Sequence, residues 1–97
     1  MNKQRIARVR KMEEDFKLVR ETVDNMVVAL DAFEAARRRM ERLSEYQESG
    51  RWLRDFEADE RGELPREMER GVLSEDGLSG LLDDIALLRA RLATFTD

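Results

Sequence analysis

Cysteine and histidine are both absent from this 97-residue chain. Without cysteine there is no disulfide framework, no thiolate nucleophile and no zinc-knuckle spacing. Without histidine the commonest general base is missing, and with it the Ser-His-Asp arrangement and the Glu-x-x-His di-iron pattern. One Pro and five Gly are too few for the turns of an all-β chain. The longest apolar run, "MVVAL" from Met26 to Leu30, falls far short of the roughly 20 residues that cross a bilayer. The basic start "MNKQRIARVR" is followed by no apolar signal segment. A cytoplasmic protein with no membrane association is the expectation.

What is present points to helices. Charged and hydrophobic residues each make up 41% of the chain, the balance of long helices or a coiled coil. The net charge of −4 is unevenly spread: residues 1–42 carry eleven Lys/Arg against eight Asp/Glu, and residues 43–97 carry seven against fourteen. Such asymmetry steers association in some proteins, but it is also what differing solvated helix faces produce.

Val9, Met12, Phe16, Val19, Val23, Met26, Leu30 and Phe33 step alternately by three and four residues. That spacing is a heptad seam on one helix face. It fails at Arg37, where the next apolar residue is due, and "ARRRMERL" continues the helix with a wet face. Gly50 supplies a left-handed stop, so a long helix is expected over residues 3–48. A second stripe, Leu78, Leu81, Ile85, Leu88, Leu92 and Phe95, marks a C-terminal helix over 74–96. Its expected start has Ser74 as cap, Glu75 and Asp76 at the positive end of the dipole, and Leu73 with Leu78 as a hydrophobic staple. Between them, residues 49–73 read as a corner of short helices. Trp52 and Phe56 share one face, Gly62 breaks that helix, Pro65 suits the first position of a turn "PREMER", and Gly71 ends it.

The expected fold is therefore all-α: a single domain, 1–97, with the long N-terminal helix packed against the C-terminal one as a coiled-coil-like hairpin. In that register Leu43 faces Leu78 and Met40 faces Leu81, a pairing set by facing seams in antiparallel helices. Val9, Met12, Phe16, Val19 and Val23 then project beyond the short arm. An apolar stripe of that length marks an interaction site, and a second copy of the chain is its simplest partner. A closed three-helix bundle is the alternative architecture.

The stretch "DFEADERGELP" holds five carboxylates, Asp55, Glu57, Asp59, Glu60 and Glu63. An EF-hand loop begun at Asp55 fits at Glu57 and Asp59, but it has Glu60 where Gly is needed and Arg66 where Glu is needed. A helical carboxylate site would need two matched acidic motifs facing each other, and the lone Glu21/Asp24 pair is remote in sequence. Asp55, Glu57, Asp59 and Glu60 are the weak candidates for a divalent-metal site or a metal-dependent hydrolase. The plainer reading is an acidic solvated face over a small apolar cluster, with Trp52, Phe56, Gly62, Leu64, Pro65 and Gly71 as the structural corner. Lys3, Arg5, Arg8, Arg10, Lys11 and "ARRRMER" are interleaved with Glu and Asp and lack an aromatic platform, so nucleic-acid binding is not expected.

"WLRDFEADERGELPREMERGVLSEDGLSGLL" resembles the DUF4298 family of small bacterial proteins of uncharacterised function. Arg5, Ile6, Met12, Glu13, Trp52, Asp55 to Glu60, Gly62 to Pro65 and Arg70 to Asp76 match its pattern. "GLSGLL" departs from it, with Ser79 and Gly80 where family members tend to carry an aromatic residue after the leucine. The resemblance implies a bacterial, cytosolic, all-helical protein and supplies no activity, cofactor or catalytic residue. Sequence thus points to a non-enzymatic interaction or scaffold protein, without catalytic residues or cofactors, that self-associates through its N-terminal helix.

Overall fold

The computed structural model describes residues 2–95. It is all-helical, with no strand among the described residues: α1 (Lys3–Ala35), α2 (Arg37–Glu48), α3 (Arg51–Glu60), a 3₁₀ turn (Gly71–Leu73) and α4 (Gly77–Ala93). Thr96, the expected end of the last helix, lies outside the described residues. The chain divides into two compact units, residues 1–37 and 38–97.

The first unit is α1. Asn2 caps it, its side-chain oxygen accepting from the Arg5 amide at 3.0 Å. The helix runs 33 residues and buries none of them. The helix expected over 3–48 is divided at Ala36, whose amide donates both to Ala32 O (3.1 Å) and to Phe33 O (3.2 Å). Such sharing between the fourth and third preceding carbonyls tightens the last turn towards 3₁₀ geometry. The division falls where Arg37 interrupts the seam, so no apolar contact at that position favours continuing the same face.

In the second unit α2 and α4 stand on either side of one cleft. Met40, Glu41 and Ser44 line one side of it, and Leu82, Ile85, Ala86 and Arg89 the other. Arg89 Nη2 reaches to 3.9 Å from Met40 Sδ. The covered stripe of α4 is Leu78, Leu82, Ile85 and Leu92, while Leu81 and Leu88 remain 46% and 40% exposed. Met40 therefore lies across from Leu82, Ile85 and Arg89 instead of Leu81, further along α4 than the expected register. Leucine doublets at 81/82 and 87/88 make either face apolar enough to turn inward.

The corner holds the only two buried hydrophobic residues among the described residues, Leu73 and Leu78. Gly50 (φ +82°) and Gly62 (φ +76°) take the left-handed conformation that ends α2 and α3. After α3 the Gly62 amide bonds Asp59 O at 2.9 Å and the Glu63 amide bonds Ala58 O at 3.0 Å, the paired closure of a Schellman stop. Two local expectations change here. Residues 65–70 form a turn with one backbone bond, Met68 N to Pro65 O, and no helix. Ser74 does not cap α4, which begins after Asp76 with no side-chain cap; its hydroxyl donates back to Gly71 O at 2.8 Å and closes the 3₁₀ turn. Gly77 is required by close approach, because a Cβ there would collide with Ser74 Oγ and the Gly71 carbonyl oxygen.

Candidate interaction surface and the acidic corner

The five residues singled out on α1 all lie open. Val9, Met12, Phe16, Val19 and Val23 are 43–65% exposed. Helical geometry puts them on one face, since steps of three and four residues return close to the same angle at 3.6 residues per turn. Met26 and Leu30 extend the exposed line towards the end of α1. Along its middle, Met12, Asp15, Phe16, Val19, Arg20 and Val23 line a shallow groove whose surface is mostly apolar. Lys11–Asp15 (3.2 Å) and Arg20–Asp24 (2.9 Å) ion pairs flank it, each spanning one helical turn. The surface combines continuous apolar area with charged margins, the layout of a helix that packs on another helix.

The acidic corner is built differently. Each of three carboxylates has its own cation or hydroxyl partner. Asp55 accepts a short hydrogen bond from the Tyr46 hydroxyl on α2. Asp59 accepts from Arg70 Nε at 2.8 Å, and Glu63 accepts from Arg61 at 3.0 and 3.2 Å. Glu57 and Glu60 are exposed. Among the described residues no three Asp, Glu, His or Cys side chains are grouped so as to hold a metal ion. The Arg61 guanidinium, by hydrogen bond and charge, holds the Glu63 carboxyl below the usual range. Removal from water, reinforced by the Asp55 carboxylate, pushes the Tyr46 phenol up to about 12.

The corner residues converge as a structural unit. Trp52 stacks on Phe56 with ring centroids 5.1 Å apart, and its indole N–H donates to Val72 O at 2.7 Å. This ties α3 to the 3₁₀ turn twenty residues later. Leu64 is half-buried; Pro65 and Gly71 are exposed, and Gly71, expected to end the turn "PREMER", opens the 3₁₀ turn.

The residue that organises the loop was not among the candidates. Arg70 donates to Asp59, and its two terminal nitrogens reach Pro65 O (2.6 Å), Arg66 O (2.8 Å), Met68 O (2.8 Å) and Leu64 O (3.5 Å). A planar guanidinium has five N–H donors in a fixed fork, which suits a loop that must offer its carbonyls without helical partners. An Arg before Gly in a charged segment carries no periodic signal; its one signal in the sequence is that Arg70 falls in the stretch that matches the family pattern.

No helix among the described residues is long and apolar enough to cross a membrane. No curated protein and no solved structure matches the chain. A family model does match, described as a domain of unknown function, over residues 9–91, which takes in the stripe of α1 from Val9, the whole acidic corner and nearly all of α4. By that match the chain belongs to the DUF4298 family.

Proposed function

We propose that the protein is a non-enzymatic helical interaction protein of the bacterial cytosol that self-associates through α1. The observation that carries this reading is the exposure of Val9, Met12, Phe16, Val19 and Val23 on a 33-residue helix that buries nothing. Fully burying such a side chain contributes roughly 1.5–3 kcal/mol, and these have about half of that left to gain. Two copies supply ten of them, roughly 10 kcal/mol in gross terms. Association costs roughly 4–15 kcal/mol in lost rigid-body freedom, and Met26 and Leu30 add to the gain. Gain and cost are of the same size, so the extent of pairing is set by protein concentration. The corner, held by Trp52, Arg70 and Leu73, serves as the folded end that sets the hairpin, and its acidic face is a surface rather than a reaction centre.

The test is the solution mass across a dilution series, measured by light scattering on the wild-type chain and on Phe16→Glu. The wild type is expected to weigh two chains at tens of micromolar, and F16E one chain, with Trp52 emission unchanged in the variant. A wild-type mass of one chain at every concentration would refute self-association.

A further inference from the structure

From the charged margins of the α1 groove we infer that two copies pair parallel and in register. This rests on the self-association proposed above and adds its geometry. The groove lining resolves into two overlapping sets of four: Met12, Asp15, Phe16 and Val19, then Phe16, Val19, Arg20 and Val23. Each set is the four-residue hole that receives one knob of a neighbouring helix in a coiled coil. The occupant is thus a helix with apolar side chains at the same alternating spacing, which the chain's own seam provides.

Orientation follows from charge. With Val9, Phe16, Val23 and Leu30 in the first core position and Met12, Val19, Met26 and Phe33 in the second, Arg8 and Asp15 fall just before the seam and Glu13 and Arg20 just after it. In a parallel pair the residue preceding one seam position faces the residue five further along in the second copy. Arg8 then faces Glu13 of the second copy, and Asp15 faces Arg20 of the second copy. By symmetry both attractions occur twice. The later pairings, Thr22 with Val27 and Ala29 with Glu34, bring no like charges together.

An antiparallel pair places preceding residues against preceding and following against following. Centring it on the seam sets Arg20 against Arg20 of the second copy. Sliding the helices to pair Glu13 with Arg20 leaves Arg8 and Asp15 without opposite charges and shortens the overlap. The existing Lys11–Asp15 and Arg20–Asp24 pairs are half-exposed or more and span one helix turn, so they persist beside the new ones as a network along each margin.

The absence of cysteine allows a direct test on the full chain. Val9→Cys and Met26→Cys, made singly, place one thiol each at sites about 25 Å apart along α1. In a glutathione redox buffer each variant is expected to form a disulfide with its own copy, and an equimolar mixture to gain no preferred mixed product. Separately, Glu13→Arg is expected to weaken association about tenfold, and Arg8→Glu added to it to restore association to within about twofold. Failure of V9C and of M26C each to cross-link with its own copy, while the wild type weighs two chains, would overturn the parallel arrangement and leave self-association intact. A V9C–M26C product would do the same through the shifted antiparallel register. A mass of one chain for the wild type would overturn self-association itself, and with it the orientation.

Discussion

Replacing Arg70 by Ala removes the one side chain that gathers the loop between α3 and the 3₁₀ turn. Asp59 and Arg70 are 22% and 32% exposed, so their pair sits between a surface ion pair and a buried one. A charge-assisted bond of that kind contributes about 1–2 kcal/mol after partial screening. The three short bonds to Pro65, Arg66 and Met68 carbonyls add about 0.5–1 kcal/mol each, because water replaces the donor only in part. These terms are not independent, and the sum is best placed at about 2–4 kcal/mol, a large share of the stability of a domain this size. The assay is urea unfolding followed by the emission of Trp52, the single Trp, whose N–H is fixed on the far side of the same loop. With a urea slope of about 1 kcal/mol per molar, the midpoint should fall by about 2 M or more. Arg70→Lys keeps the charge and loses the fork, so it should recover less than half of the loss. A midpoint for Arg70→Ala within about 0.5 M of wild type, or a Lys variant equal to wild type, would refute the claim that the fork organises the loop.

Further outcomes concern the same unit. Gly77→Ala should destabilise by about 1–3 kcal/mol despite alanine's better helix propensity, since its Cβ meets the Gly71 carbonyl oxygen; Gly80→Ala, with open space around it, should stabilise by about 0.5–1 kcal/mol, both read by thermal melting. Trp52→Phe keeps an aromatic ring beside Phe56 but leaves Val72 O without its donor, and far-UV melting should show a loss of about 1–2 kcal/mol. Tyr46 is the only Tyr, so its phenolate absorbance can be titrated directly, and half-ionisation should occur near pH 12. Because the folded value is raised, the folded chain holds the proton more tightly. That stabilisation is complete below about pH 10 and is lost as pH rises from 10 towards 12. Asp55→Asn should lower the value only part of the way, since burial is the larger cause.

The helical plan was open to reading because it is written in periodic positions. The steps from Val9 to Phe33 place the stripe of α1 before any coordinate is known, and Gly50 and Gly62 announce their left-handed stops by having no Cβ. Periodicity could not decide between Leu81 and Leu82, since adjacent leucines satisfy two faces of α4 equally. Local rules also misassigned Ser74: its hydroxyl serves either a helix amide or the Gly71 carbonyl, and the close approach allowed by Gly77 selects the latter. The carboxylates of the corner were visible as a cluster in sequence. Their separate partners, Tyr46, Arg70 and Arg61, depend on where α2 and the 65–70 loop lie, which no spacing encodes.

The absence of any buried residue in α1 has a further consequence, for the order of folding and binding. A helix that buries none of its residues is held largely by propensity and single-turn ion pairs, and helices of this kind fray and exchange their amide hydrogens quickly. Pairing must then supply part of the ordering free energy of the segment as well as its contact energy. The helicity of residues 3–35 therefore becomes a function of protein concentration. On dilution the backbone of α1 should melt from its ends while the Trp52 corner stays folded, so amide exchange along α1 would report the assembled fraction residue by residue.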